Sequence, residues 1–508
     1  MLKQVFREQV LQEIDIYSTP YKIWDTKGLY YSSPLYIFGV VPNNPMITAT
    51  ILTLKKSIFL LLFFITTLFS AAQLQPLYSF QRDDSILKKT YFEQSARKKN
   101  MALASLDKKY AAEYKKIYED HFNEIGRLWQ SDRSVTSPGA HGYLQSIVQK
   151  IVSVNAELAK TDARVVFSRD WWPNAYSMGD GTIAINAGLM VFLHNEAELV
   201  FVVSHELAHY YLDHTNKSIK QYVEKVNSEE FQNELKRLAK TEYGVNKQLE
   251  ELTRSFAFSS RRHSRDNEAA ADRLAFRFMK KTGYDCNAIK TCLELLDKVD
   301  DSLLYQSPDI TQAFNFTDFP FRNKWIRKES AIFAQLNEKD EPTGKDKDSL
   351  KTHPDCSRRI ALLNDSIATT ITGGKNFLVN EEMFHQLKRD FFIEMTEQCY
   401  RDENLSRNLY YNLLLLQSKE NNPLAVYSIA RCLNDIYDCQ KNHKLGSRLD
   451  TESKGYPEGY NLLLRMLHRI RLEEIAGVNY NFCKQYETEM KDYAGFKEEM
   501  KRVQKFKN

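Results

Sequence analysis

The chain has 508 residues, a formal net charge of +4 and 43% hydrophobic residues. This length is too great for one compact core, so we expect two or three domains. The net charge is small and no basic run with interleaved aromatic residues occurs, which argues against a nucleic acid partner. The sequence also has no glycine-rich phosphate-binding motif, which argues against nucleotide chemistry.

An apolar stretch over residues 57–72 is the first strong signal in chain order. It follows Lys55 and Lys56 and ends with Ser70 and Ala72, which one residue separates. A bilayer-spanning helix needs about twenty apolar residues, which is more than this stretch supplies. A basic start, a short apolar region and small residues at its end are typical of a cleavable secretory signal peptide.

Signal peptides begin at the start of a chain, yet residues 1–56 precede this one. We therefore predict that Met46 is the true start and that residues 1–45 of the N-terminal extension 1–56 are over-called. The alternative is that residues 57–72 remain as a single-pass signal anchor. In both cases we expect the rest of the chain to be exported, to the periplasm or the extracellular space. Membrane contact would then occur only through an uncleaved N-terminal segment.

Residues 73–130 are predicted to form a helical arm. Charged residues recur there with Ala and aromatic residues, as in 108–118, which predicts an amphipathic helix that packs on the following domain. Beyond the arm we predict a helix over 141–160 and a strand over 163–168. Alternating residue types predict a second strand over 181–185.

The segment 196–213 is apolar on nearly every face before its histidines, which predicts a buried helix. It contains the sequence HELAH, from His205 to His209. Residues four apart lie on one face of a helix, so these two histidines can bind the same metal ion. Glu206 lies beside them, where it can act on a water molecule at that metal.

A catalytic zinc ion takes three protein ligands and keeps one position open. The metzincin pattern for a third histidine is excluded, because Leu212 and Thr215 stand where it needs Gly and His. His214 follows His209 by five residues and so lies off the shared helical face. We therefore interpret His214 as a structural residue.

Glu268, followed one turn later by Asp272, fits the gluzincin pattern, in which a glutamate from a later helix completes the zinc site. Asp272 would then accept a hydrogen bond from a ligand imidazole, which fixes the tautomer of that ring. The alternative is that Asp272 only pairs with Arg265 or Arg273.

Residues 215–262 are a predicted charged helical insert between the two ligand helices, either overhanging the cleft or forming a solvated hairpin. Residues 333–350 are a predicted mobile loop. After a boundary at Gly373 and Gly374, residues 376–508 are predicted to form a helical domain. Its helix pairs resemble tetratricopeptide-type repeats, although no period of about 34 residues emerges. We expect this domain to bind a protein partner through its helices.

Four ordered blocks of the sequence resemble the HtpX-like and CAAX-prenyl-endopeptidase-like zinc metallopeptidases, peptidase family M48. The resemblance extends from about Asn174 to Leu363 and does not include either end of the chain. The matching blocks are 174–189, Glu198 with 205–209 and His214, 268–272, and 352–354 with Arg359 and Ile360.

The resemblance implies a mainly helical α+β fold. It implies a gluzincin-type zinc metallopeptidase domain with a small β-sheet over 131–375, ahead of the helical C-terminal domain that the residue pattern predicts over 376–508. In the family, an edge strand at the position of 181–185 lines the cleft and pairs with the substrate backbone. Such pairing favours unfolded or extended protein substrates.

The resemblance also implies a role for each site residue. His205, His209 and Glu268 would bind one zinc ion per chain, and Glu206 would be the general base. Asp272 would support a ligand histidine. In addition, His353 or Arg359 would stabilise the oxyanion.

We therefore expect a zinc-dependent metalloendopeptidase that hydrolyses peptide bonds of exported proteins, misfolded or unassembled, through a zinc-activated water. One alternative is a chaperone-like client-binding protein. Another is a latent metallopeptidase with little basal turnover, held inactive by the insert or by the 333–350 loop.

Overall fold

The protein is described here from a computed structural model. The structure describes residues 82–106, 108–239, 265–299, 307–327, 356–369, 373–418, 422–453 and 455–507. The predicted N-terminal extension, the signal segment 57–72, the loop 333–350 and His353 lie outside the described residues. Within the described ranges, no helix has both the length and the apolar character that a membrane crossing requires.

Helices dominate the described chain, and a small sheet lies near its start. The elements up to residue 299 are α1 (Ser85–Ala104), α2 (Ala111–Gln130), β1 (Ser134–Val135), α3 (Pro138–Ser153), β2 (Arg164–Ser168), β3 (Ala175–Ser177), β4 (Thr182–Asn186), α4 (Ala187–Phe192), α5 (Glu196–Tyr211), α6 (His214–Val226), α7 (Glu229–Ala239), α8 (265–279) and α9 (Asn287–Val299). The later helices are α10 (Ile310–Ala313), α11 (Cys356–Ala368), α12 (Glu381–Arg401), α13 (Leu405–Ser418), α14 (Pro423–Lys441), α15 (Glu458–Arg469), α16 (Leu472–Tyr486) and α17 (Ala494–Lys507). The predicted fold class, mainly helical α+β with a small sheet, is confirmed.

The sheet has four strands in the order β1-β2-β4-β3. The central strands β2 and β4 are parallel, with Arg164 opposite Thr182 and Ser168 opposite Asn186. β1 and β3 pair antiparallel with them and form the two edges. The predicted edge strand at 181–185 is therefore wrong in its place: that segment is the central strand β4, and the edge strand is β3.

Burial on both faces explains this difference. Ile183 and Ile185 belong to one apolar cluster, while Ala184 between them belongs to another on the opposite face. Every residue of β4 is buried. Strands buried on both faces are typical of the centre of a sheet, whereas residue alternation along a sequence does not report which strands pair at the edges.

The first core lies between one face of the sheet and helices α3, α5, α9 and α12. Its buried side chains include Ile147, Ile185, Val203, Leu293 and Phe391. This core places the helix that carries the two histidines directly beside the sheet.

The predicted arm covers the other face of the sheet. Phe122, Ile125 and Trp129 of α2 pack there against Val166 and Ala184 of the central strands. Helices α6 and α7, the described half of the predicted insert, bury their own apolar face on α2 through a cluster that contains Tyr114, Ile117, Ile219, Val223 and Leu235. The insert helices are therefore packed on the arm in this region.

A second core lies within the C-terminal helices α12 to α17. It contains buried residues such as Leu409, Ile429, Leu463 and Phe482. Helix α12 contributes to both cores: Phe384 and Phe391 at its start lie in the first, and Met395 and Cys399 at its end lie in the second. One continuous helix thus connects the C-terminal helices with the part of the chain that carries the site.

Candidate metal centre

Helix α5 is anchored at its first residue by a buried carboxylate. Glu196 is fully buried and accepts hydrogen bonds from the hydroxyls of Tyr143 and Tyr284. It also accepts from the backbone N–H groups of residues 378–380, at 2.8, 2.7 and 3.0 Å. Burial opposes ionisation, but these hydrogen bonds hold the pKa of Glu196 below its ordinary value. The start of α5 is therefore fixed to the chain that leads into α12.

Two turns further along α5, His205 and His209 bring their Nε2 atoms to within 3.0 Å of each other. The Glu268 carboxylate of α8 completes the group. Its oxygens lie 3.4 Å from His205 Nε2 and 3.2 Å from His209 Nε2. Across the described ranges, these three residues are the group of metal-ligating side chains whose donor atoms converge within 4.8 Å.

The separations of 3.0–3.4 Å are close to those between ligands of a tetrahedral zinc ion, with each histidine facing a different oxygen of Glu268. Zinc bonds of about 2.0–2.2 Å at tetrahedral angles separate neighbouring ligand atoms by about 3.3 Å. The donor set also fits, because two imidazole nitrogens and one carboxylate oxygen form a known catalytic zinc site with one open position. The structure thus brings together the three residues that the sequence singled out as ligands.

The outer nitrogen of His205 contacts Asp272, with 2.9 Å between Nδ1 and Oδ1. Burial alone would lower the pKa of His205, but hydrogen bonds to Asp272 and Glu268 raise it to about 10. The surroundings therefore favour a positive charge at Nε2, whether it is a proton or a metal ion.

Arg359 of α11 joins the two carboxylates of α8. Its Nε and Nη2 donate to the two oxygens of Asp272 at 2.6 and 2.7 Å, and its Nη1 lies 3.0 Å from Glu268. The side chain is 3% exposed. Burial opposes the charge of Asp272, but Arg359 and His205 lower its pKa to about 2. Asp272 thus pairs with Arg359 and His205, which was not the predicted alternative of Arg265 or Arg273.

Glu206 lies on α5 between the two histidines and is 5% exposed. Burial raises the pKa of its carboxyl, while the nearby histidines and Arg359 oppose this shift. A carboxylate with a raised pKa is closer to the proton affinity that a general base needs near neutral pH.

The structure also places His214 at the site, beside His209, although the sequence predicted only a structural role for it. Its Nδ1 lies 3.0 Å from Nδ1 of His209, and the residue is 8% exposed. Burial and the neighbouring His209 lower the pKa of His214 to about 3. Asp213 is the sequence signal for this placement of His214. Aspartate tolerates a left-handed backbone, which permits the helix to break before His214.

Comparison with known proteins agrees with this geometry. A family model described as peptidase family M48 matches residues 138–367, from the start of α3 into α11. A curated relative, the putative beta-barrel assembly-enhancing protease of Vibrio cholerae serotype O1, is 25% identical over 179 residues. That match covers 34% of this chain and 36% of the relative, so the chain matches about a third of the relative's length.

The residues of the candidate centre from Glu196 to Arg359 all lie inside the matched region. The resemblance inferred from the four sequence blocks is thereby confirmed. Residues 138–367 of this chain, which contain the candidate centre, therefore match peptidase family M48 in sequence.

Proposed function

We propose that this protein is a zinc-dependent metalloendopeptidase whose zinc ligands are His205, His209 and Glu268. The observation that carries the proposal is the convergence of these three donor atoms, from two helices, beside a buried Glu206. One zinc ion per chain fits this single group.

A bound zinc ion supplies Lewis acidity, which polarises a carbonyl and lowers the pKa of a water ligand to about 7. Glu206 accepts the proton from the attacking water at its carboxylate and later donates it to the leaving amine. Its burial keeps bulk water away from that proton. The same burial raises its pKa and so makes the carboxylate a stronger base.

Asp272 and Arg359 hold the ligands in place. Asp272 fixes the ring of His205 with Nε2 directed at the centre. Arg359 binds Asp272 and Glu268 together and balances their charge. Because the Arg359 guanidinium is bonded to these two carboxylates, we assign it to ligand positioning; the predicted oxyanion role of Arg359 or His353 stays a prediction.

We propose that substrates bind as an extended chain along β3. This strand forms one edge of the sheet and packs beside α5. Tyr176 pairs with Ala184 of β4. On either side of this pair, the Met178 N–H donates to the Thr182 carbonyl and the Asn186 N–H donates to the Asn174 carbonyl. Every second residue along this segment therefore bonds to β4. Ala175 and Ser177 therefore direct their N–H and C=O groups to the other side. There the Ser177 carbonyl accepts one hydrogen bond, from Thr215 Oγ1 at 3.3 Å. We propose that an antiparallel chain pairs with the other groups of this edge.

Main-chain pairing favours unfolded protein substrates, since folded proteins offer few free backbone groups. The Vibrio cholerae relative is named a putative beta-barrel assembly-enhancing protease, and residues 57–72 of this chain have the pattern of a secretory signal peptide. We therefore propose exported, misfolded or unassembled proteins as substrates. The C-terminal helices α12 to α17 are proposed to bind a protein partner.

The test combines metal analysis with cleavage. The full chain and its Glu206→Gln variant are purified and assayed for zinc content and for cleavage of unfolded casein. We expect about one zinc per chain in both proteins, with the cleavage rate of Glu206→Gln lower by about 10²–10⁴-fold. Glu224→Gln, on exposed α6 surface, is the matched control and should cleave at the normal rate.

The other outcomes separate the alternatives. If both proteins bind zinc and neither cleaves casein, the proposal of an active peptidase is wrong and a client-binding or latent protein is favoured. An absence of zinc in the unaltered chain would contradict the assignment of His205, His209 and Glu268.

A further inference from the structure

The two ligand histidines are held by their outer nitrogens in two different ways. Asp272 contacts His205 Nδ1 at 2.9 Å, and His214 contacts His209 Nδ1 at 3.0 Å. The rings of His209 and His214 have centroids 4.8 Å apart and stand at 80° to each other. A carboxylate therefore supports one ligand ring, and a second imidazole supports the other.

A break in the helix brings His214 to this position. In an uninterrupted helix, a residue five positions after His209 would point about 140° away from it. Helix α5 ends at Tyr211, and Asp213 adopts a left-handed conformation with φ of +57°. Asn216 and Lys217 secure the turn by donating to the Asp213 side chain at 2.5 Å and to the Leu212 carbonyl at 2.7 Å. Helix α6 then starts at His214, and the side chain of His214 contacts His209.

The contact also determines where a proton lies. Two Nδ1 atoms 3.0 Å apart are hydrogen-bonded only if one of them carries a proton and the other accepts it. A neutral imidazole that gives Nε2 to a metal carries its proton on Nδ1. His209 is then the donor, and His214 accepts with its bare Nδ1.

We propose that His214 is a positioning residue for the metal centre: its Nδ1 accepts a hydrogen bond from His209 Nδ1 and so presents His209 Nε2 to the metal. This inference rests on the proposed zinc site. It assigns a role to a residue that binds neither metal nor substrate.

The test uses two amide variants of the full chain. In His214→Asn the Oδ1 atom is as many bonds from Cβ as the histidine Nδ1, so an acceptor stays near His209. In His214→Gln the polar atoms lie one carbon further out. His385→Gln, on the exposed surface of α12, is the matched control. Zinc affinity is measured by chelator competition, and the visible absorption of the cobalt-substituted protein reports the ligand geometry.

We expect His214→Gln to bind zinc about 10–100-fold more weakly than the unaltered chain, with a changed cobalt spectrum. His214→Asn should bind within a few-fold of the unaltered chain and keep its spectrum. His385→Gln should match the unaltered chain in both measurements.

Two results would overturn the proposal. Equal zinc affinity in all variants would show that His209 needs no support from His214. Equal losses in His214→Asn and His214→Gln would show a structural role only. Both differ from failure of the proposed function, in which the unaltered chain itself would bind no zinc and both proposals would fall together.

Discussion

At the scale of single residues, the two histidines and Glu206 lie on α5, while the side chains that support the centre, His214, Asp272 and Arg359, come from three other helices. The ligands and Glu206 follow from helical spacing, because a four-residue separation fixes the relation of two side chains on one helix. The contact of His214 depends on one backbone angle at Asp213, which spacing cannot supply. The pairing of Arg359 with Asp272 joins residues 87 positions apart, and no local rule reaches that far.

Arg359 gives a prediction at this scale. Arg359→Leu leaves the buried carboxylate of Asp272 and the partly buried carboxylate of Glu268 without their cation. Breaking a buried ion pair by removing one partner typically costs about 3–5 kcal/mol. We expect a loss of that order in the free energy of unfolding, measured by urea denaturation. Arg358→Leu alters the exposed neighbour and should change the stability little. Equal stability of the two variants would contradict the role of Arg359.

At the scale of elements, helix and strand positions were predictable, but their neighbours were not. The buried helix predicted over 196–213 is α5, and the strand predicted over 163–168 is β2. The place of β4 in the centre of the sheet depends on α2 covering its second face, which is a tertiary contact. Likewise, the packing of α6 on the arm follows from contacts with α2 that the charge pattern of the insert concealed.

The anchor of α5 provides the prediction for this scale. Glu196→Gln replaces an acceptor of five hydrogen bonds with an amide whose NH2 group faces N–H donors. Hydrogen bonds to charged groups contribute about 1.5–3 kcal/mol, so we expect a loss of at least that size in urea denaturation at neutral pH. Glu381→Gln, an exposed carboxylate in the first turn of α12, is the control.

The loss should also depend on pH with a definite sign. The pKa of Glu196 is lower in the folded protein than its ordinary value of 4.5. Its contribution is therefore complete above that value and declines as the pH falls below it. The stability difference between the unaltered chain and Glu196→Gln should shrink below about pH 4.5. A difference that stayed constant down to strongly acidic pH would show that the charge of Glu196 is unimportant.

At the scale of the whole molecule, the sequence predicted a boundary near residue 375, and the structure shows what crosses it. Helix α12 begins just after that boundary and enters both cores. Phe391 stacks edge-on against Phe167 of β2, with ring centroids 4.9 Å apart. A change of composition marks where a chain changes character, but it does not reveal a helix that two cores share.

The shared helix predicts joint unfolding. Phe391→Ala removes a fully buried ring and should cost about 3–5 kcal/mol. We expect calorimetry to show one transition at a lower temperature, and hydrogen exchange to accelerate in both α3 and α14. Phe392→Ala, a partly exposed neighbour, is the control and should have a smaller effect. Two separate transitions, with only the first one shifted, would contradict this coupling.

The short edge strand β3 has a consequence for the products of the proposed reaction. A chain that pairs only through its backbone can move by two residues and present the same pattern of N–H and C=O groups again. Three residues of edge, Ala175–Ser177, give little to distinguish one such frame from the next. One client would then be cut at several places, and its fragments would form families whose lengths differ in steps of two.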